Sequence, residues 1–163
     1  MATTPIPRDI RAPRPWVQVA AFCQTAIKEA NGALSIIRVL DRLGLAGMTP
    51  EMQPQPLQLT MVLILKSDEM RGQYRANIRC TSPLGNVTTG PEMPFLFEGE
   101  DRGIQLVLPT GVLASEPGLY WFDVLIENEI VTRVPLRVLY QRIQLPPGMT
   151  PGGTATPPGG PAH

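Results

Sequence analysis

From residue 57 to residue 140, apolar and polar side chains alternate with a period of two, the repeat of a β-strand with one face turned inward. Leu57, Leu59, Met61, Leu63 and Leu65 occupy one face of the first such segment. Its other face carries Gln58, Thr60 and Lys66 but also Val62 and Ile64, which predicts a strand partly covered on its second side as well. After the turn Ser67 to Gly72, the residues Tyr74, Ala76, Ile78 and Cys80 alternate with Arg75, Asn77 and Arg79, a half-buried strand. Ser82-Pro83-Leu84-Gly85-Asn86 has turn chemistry and precedes a short strand at 87–89. Gly90, Pro91 and Pro94 interrupt the pattern before Phe95-Leu96-Phe97. A strand at 104–108 is expected to stop at Pro109, and strands at 119–126 and 130–140 to be joined by Glu127-Asn128-Glu129. Pro135 places the last strand at an edge or at a bulge, because proline has no N–H to give to a ladder.

Residues 16–45 read two ways. Ile36, Ile37, Leu40 and Leu43 fit a helical stripe, and helix-favouring alanines, glutamines and leucines are present. Val17, Val19, Ala21 and Cys23 alternate with Gln18 and Gln24, and Asn31-Gly32 is a hairpin signal. The second reading is preferred, with strands at roughly 16–28 and 33–41 and a long connection from Leu43 to Pro56. Short strands separated by turns predict an all-β, two-layer antiparallel sandwich, immunoglobulin-like, with about seven or eight strands. Tyr120, just after Pro117-Gly118, stands where such a fold places a tyrosine corner, with the ring buried and the hydroxyl on nearby backbone. The sandwich is expected over 16–143, between a proline-rich arm at 1–15 and a Pro/Gly-rich tail at 144–163 whose composition predicts disorder.

The opening block, with Trp16, Asn31-Gly32 and Leu34-Ser35-Ile36, resembles a small family of uncharacterised bacterial β-sandwich proteins, catalogued as a domain of unknown function. The closing blocks, Pro117 to Val124 and Pro135-Leu136-Arg137-Val138, resemble the same family. The resemblance covers residues 16–140, implies a sandwich with two strands in the N-terminal region, and carries over no catalytic residue.

The charge balance then limits the function. Lys plus Arg and Asp plus Glu number 14 each, so the formal net charge is zero. A nucleic-acid partner is not expected without a basic excess, whereas a protein partner or self-association meets little repulsion. The apolar runs are strand-sized and residues 1–15 hold no signal-peptide core, so no membrane association and a cytoplasmic location are expected. Cys23 and Cys80 then read as small core residues. His163 is the single histidine, which removes Ser-His-Asp and Cys-His catalysis and zinc binding unless the terminus supplies the group. No cofactor is implied.

Three clusters remain. Glu98, Glu100 and Asp101 bring carboxylates together in a glycine-flanked turn, more the mark of a solvated loop than of paired acid–base groups or a calcium site. Arg71, Arg75 and Arg79 share one face, as a polar solvent face requires. If Tyr120, Phe122 and Val124 point inward, Trp121, Asp123 and Leu125 point outward, and this is the candidate interaction surface. Trp16 and Trp121 together would serve a carbohydrate-like ligand if they met in one groove. The expectation is therefore a non-catalytic interaction or assembly module, with a small-ligand binder as alternative and a carboxylate-only hydrolase behind it.

Overall fold

A computed structural model describes residues 13–144. Ten strands run through them: β1 (Trp16–Lys28), β2 (Leu34–Leu40), β3 (Arg42–Gly47), β4 (Gln55–Asp68), β5 (Gly72–Thr81), β6 (Val87–Thr89), β7 (Met93–Phe97), β8 (Glu100–Ala114), β9 (Gly118–Ile126) and β10 (Glu129–Arg142). They form a four-stranded sheet in the order β2-β1-β4-β8 and a six-stranded sheet in the order β3-β10-β9-β5-β6, with β7 also paired to β5. The all-β sandwich is as expected, with ten strands in place of seven or eight. The N-terminal region is two strands, closed by the Asn31-Gly32 turn, where Ala33 N–H bonds Asn31 Oδ1 at 2.9 Å.

Three local expectations are corrected. The connection at 43–56 contains β3, which pairs parallel to the end of β10, with Leu43 opposite Val138 and Leu45 opposite Tyr140. Pro109 does not end its strand: β8 runs through it, opposite Thr60. The reason is position, since β8 is an edge strand and an edge tolerates a missing donor. The strand count also rises because Met93–Phe97 forms β7, which shares one edge of β5 with the expected β6; β6 faces Arg79–Thr81 and β7 faces Gly72–Ala76.

Pro135 meets its expectation in a particular way. Arg137 N–H bonds Asp41 O at 3.0 Å, so the odd-numbered amides of β10 face β3. The nitrogen of Pro135 faces the same way, but β3 begins only opposite Arg137. No ladder bond is forfeited there.

The chain changes sheet at Asp41, between β3 and β4, at Ser67–Gly72, between β7 and β8, and at Ala114–Gly118. Pairing of β4 with β8 in one sheet, and of β5 with β9 and β9 with β10 in the other, is the immunoglobulin-like arrangement. The two inner faces meet through Leu59, Met61, Leu63 and Leu65 of β4 and Tyr120, Phe122, Val124 and Leu136 of β9 and β10. Phe22 meets Phe122 edge-on between the layers, with ring centroids 4.6 Å apart. At one end, Tyr74, Phe95 and Phe97 form a second aromatic group with centroids 5.0–6.1 Å apart.

The last crossing is built on Tyr120. Its ring is 1% exposed and its hydroxyl donates to Glu116 O at 2.9 Å, four residues upstream. Gly118 in the same corner has φ +145°, and a side chain there would strike Pro83. Tyr120→Phe leaves the Glu116 carbonyl without its donor and should cost about 1–2 kcal/mol. Urea unfolding measures it: a lower midpoint with unchanged slope is the expected result.

Candidate functional site

The outer face of the six-stranded sheet carries Trp121, Asp123 and Leu125 on β9, pointing away from the core as alternation requires. Asp123 lies directly between Arg79 on β5 and Arg133 on β10 in the ladder. Arg79 Nη2 reaches its Oδ2 at 2.8 Å and Arg133 Nε its Oδ1 at 2.5 Å. The Arg133 guanidinium also sits over the Trp121 ring, 5.6 Å from the centroid. The carboxylate is only 2% exposed beneath these groups.

This changes the picture of an open apolar patch. Leu125 is buried, flanked by Asn77 and Ile130 in the ladder, and Trp121 retains 36% of its exposure. A carboxylate in mid-strand draws a guanidinium from each neighbouring strand, and the two cover the centre of the face. Of the surface expected of Trp121, Asp123 and Leu125, the ion pairs cover Asp123, Leu125 is buried, and Trp121 remains exposed beside Arg133. Arg79 and Arg133 were visible in the chain, but only the register of three strands brings them to Asp123.

The hydrogen bond from Arg133 holds the Asp123 carboxyl below the usual carboxylate range; burial opposes this and Arg79 adds to it. Three further arginines are also engaged. Arg71 pairs with Glu100 at 3.0 Å, Arg75 with Glu92 at 3.5 Å and Arg102 with Glu98 at 2.6 Å. The acidic turn of Glu98, Glu100 and Asp101 is therefore divided between separate cations. Its Asp101 carbonyl takes Lys66 Nζ at 2.9 Å. Among the described residues no group of three or more His, Cys, Asp or Glu side chains could hold a metal ion.

Trp16 stands on the other side of the molecule. It pairs with Lys66 on the outer face of the four-stranded sheet and is 69% exposed. The two indoles lie on opposite outer faces and cannot stack on one ligand. Cys23 and Cys80 are both buried and unpaired. Burial pushes the Cys80 thiol up to about 11 and raises that of Cys23 too, so both stay protonated at neutral pH.

The outer face around Trp16 is the one that sequence reasoning underweighted. Val39 of β2 lies opposite Cys23 of β1, Ala21 opposite Val62 of β4, and Val62 opposite Val107 of β8. Val19 and Ile64 form the next rung on one side, and Ile37 and Ile27 lie on the other side, toward the hairpin. Cys23 and Val62 are closed to solvent, while Ile27, Ile37, Val39 and Val107 are exposed around them. The signal was Val62 and Ile64 on the second side of β4.

The sheet orders, the crossing between β8 and β9 and the Tyr120 corner together define an immunoglobulin-like β-sandwich. Among the described residues no helix is long and apolar enough to cross a membrane. Residues 18–139 match the model of a family of unknown function, DUF6941, and the chain belongs to that family. The resemblance seen over residues 16–140 thus spans almost the same segment. No curated protein matches the chain.

The ion pairs of Asp123 make a measurable prediction. Its pKa is depressed in the folded protein, so its contribution is present above the unfolded carboxyl value of about 4 and is lost as pH falls through the folded value. Both arginines are partly exposed, which limits the effect, so Asp123→Asn should cost about 1–2 kcal/mol at pH 7. Unfolding curves between pH 7 and about 2 should show the gap to wild type closing as the acid limb is reached.

Proposed function

We propose that this protein is a non-catalytic assembly module that joins a second copy of itself through the outer face of its four-stranded sheet. The observation that carries the reading is a set of apolar residues on two neighbouring rungs, Val39–Cys23 and Ala21–Val62–Val107, which between them reach all four strands on a face where a sandwich ordinarily presents polar groups. Trp16 at the rim offers the kind of large aromatic anchor that dominates interface energetics.

A second copy suits this face for three reasons. With 14 cationic and 14 anionic residues, two copies approach without net repulsion. β1, β4 and β8 have 13, 14 and 15 residues and β2 has seven, so the face covers roughly 700 Å², comparable to the ~800 Å² per partner of a standard interface. Two such faces also pack on one another as sheets do, about 10 Å apart, in a self-complementary two-fold contact. Strand addition at the β2 edge is disfavoured, because Arg38 in mid-strand has φ +54° and interrupts the row of backbone groups that a new strand would need.

A non-catalytic role is further supported by the distribution of charged groups, whose carboxylates are bound to separate arginines instead of facing one another. The two unpaired thiols fit a reducing, cytoplasmic setting.

Sedimentation equilibrium on the full chain tests the reading. Wild type is expected to be a dimer, and the double variant Val39→Lys with Val107→Lys a monomer of unchanged circular dichroism. Both residues are exposed, so the substitutions should change fold stability by no more than about 0.5 kcal/mol. A wild-type protein that stays monomeric at high micromolar concentration would sink the proposal.

A further inference from the structure

Between the two sheets, at the end away from Tyr74, Phe95 and Phe97, lies an open cavity of about 300 Å³. Its walls are Ile78 and Cys80 of β5, Met93 of β7, Leu108 and Val112 of β8, and Phe122 of β9. Ser82, Asn86, Thr88 and Ser115 line it as well, and no charged residue does. The volume is about twice that of a cavity known to hold benzene, whereas protein interiors keep few voids larger than a water molecule.

The sequence accounts for the space. Along the inner face of β5 the side chains are Tyr74, Ala76, Ile78 and Cys80, so the large ring fills one end and a small thiol faces the other. The edge of the six-stranded sheet is broken between β6 and β7 by Gly90 and Pro91, and both line the cavity. Gly90 N–H keeps one bond to Ile78 O at 2.8 Å, so the gap is held open by an ordered backbone. Opposite, β8 turns Leu108, Thr110 and Val112 toward the space, none of them large enough to fill it.

We infer that this cavity binds a neutral amphiphile, with an apolar body of about eight to twelve carbons between the sheets and a hydroxyl or amide head among Ser82, Asn86, Thr88 and Ser115. The apolar walls have no use for a sugar. An anionic head is disfavoured because no cation lines the cavity, and because the Glu116 carboxylate is tied to Ser115 Oγ at 2.6 Å. The hydroxyls of Ser115 and Ser82 hold that carboxyl ionised, which adds negative potential beside the cavity. The neutral Cys80 thiol serves as a wall group, not a nucleophile. The site is separate from the outer face of the four-stranded sheet and stands whether or not the chain dimerises.

The test titrates the full-length protein with the neutral dye N-phenyl-1-naphthylamine and then competes with decan-1-ol, decanamide or decanoate. Saturable uptake of one dye per chain is expected, with the alcohol and the amide displacing it at concentrations at least about tenfold below the carboxylate. Val112→Phe fills the cavity and should abolish uptake while circular dichroism stays unchanged. Should that variant fail to fold, Cys80 supplies an independent readout. In a Cys23→Ala background at pH about 9, where a small fraction of Cys80 is thiolate, decan-1-ol should slow N-ethylmaleimide labelling of Cys80 at least about tenfold. Absence of saturable uptake, dye binding retained by folded Val112→Phe, or unprotected Cys80 would each overturn the site. Decanoate competing as well as decan-1-ol would overturn the neutral head.

Discussion

Leu57, Leu59, Met61, Leu63 and Leu65 leave β4 toward the six-stranded sheet, where they form one half of the core with Tyr120, Phe122 and Val124 opposite. Val62 and Ile64 leave the same strand on the other side, next to Ala21, Val19 and Val107. A strand apolar on both faces cannot sit at the surface of a two-layer protein at low cost. It has to lie centrally in its sheet, and β4 does, between β1 and β8. The layer order follows: β5 leaves β4 through the Ser67 corner, where the buried hydroxyl donates to Arg102 O, and enters the opposite sheet. β8 then returns to flank β4, and the Tyr120 corner takes the chain across again.

The two outer surfaces solve the contact with water in opposite ways. On the six-stranded sheet, Asp123 replaces an apolar side chain at the centre and draws Arg79 and Arg133 over the strands. On that face the central charge is paired and Arg133 lies over one side of the exposed indole. On the four-stranded sheet, the equivalent central positions are Cys23 and Val62, with Val39 and Val107 beside them. No charged group covers these positions, and the only hydroxyl among them is that of Thr60 beside Cys23, which is why the assembly reading is placed there and not on the face marked by Trp121.

Much of this was legible in the chain. The alternation around Tyr74–Cys80, the Asn31-Gly32 turn and Tyr120 after Pro117-Gly118 each depend on local periodicity or turn chemistry, and each appears where the pattern put it. β3 was not legible, because Gly44, Gly47 and Pro50 look like a connection and the strand exists only by pairing with distant β10. Pro109 misled for a related reason: whether proline ends a strand depends on whether a neighbour needs its N–H, and that is a property of sheet order. The ion pairs of Asp123 depend on register across β5, β9 and β10 and have no signature along the chain.

The cavity and the apolar outer face share β8, and the two-residue repeat of that strand keeps them apart. Leu108 and Val112 point between the sheets, while Val107 lies on the outer face in register with Val62. Pro109 stands opposite Thr60 on that outer side, so β8 passes from one surface to the other without losing its alternation. A side chain exchanged at Val107 therefore changes what a second copy would meet and leaves the cavity wall in place. One exchanged at Val112 does the reverse. Because an edge strand is paired on one side only, it can carry both surfaces without disturbing the strands that hold the core.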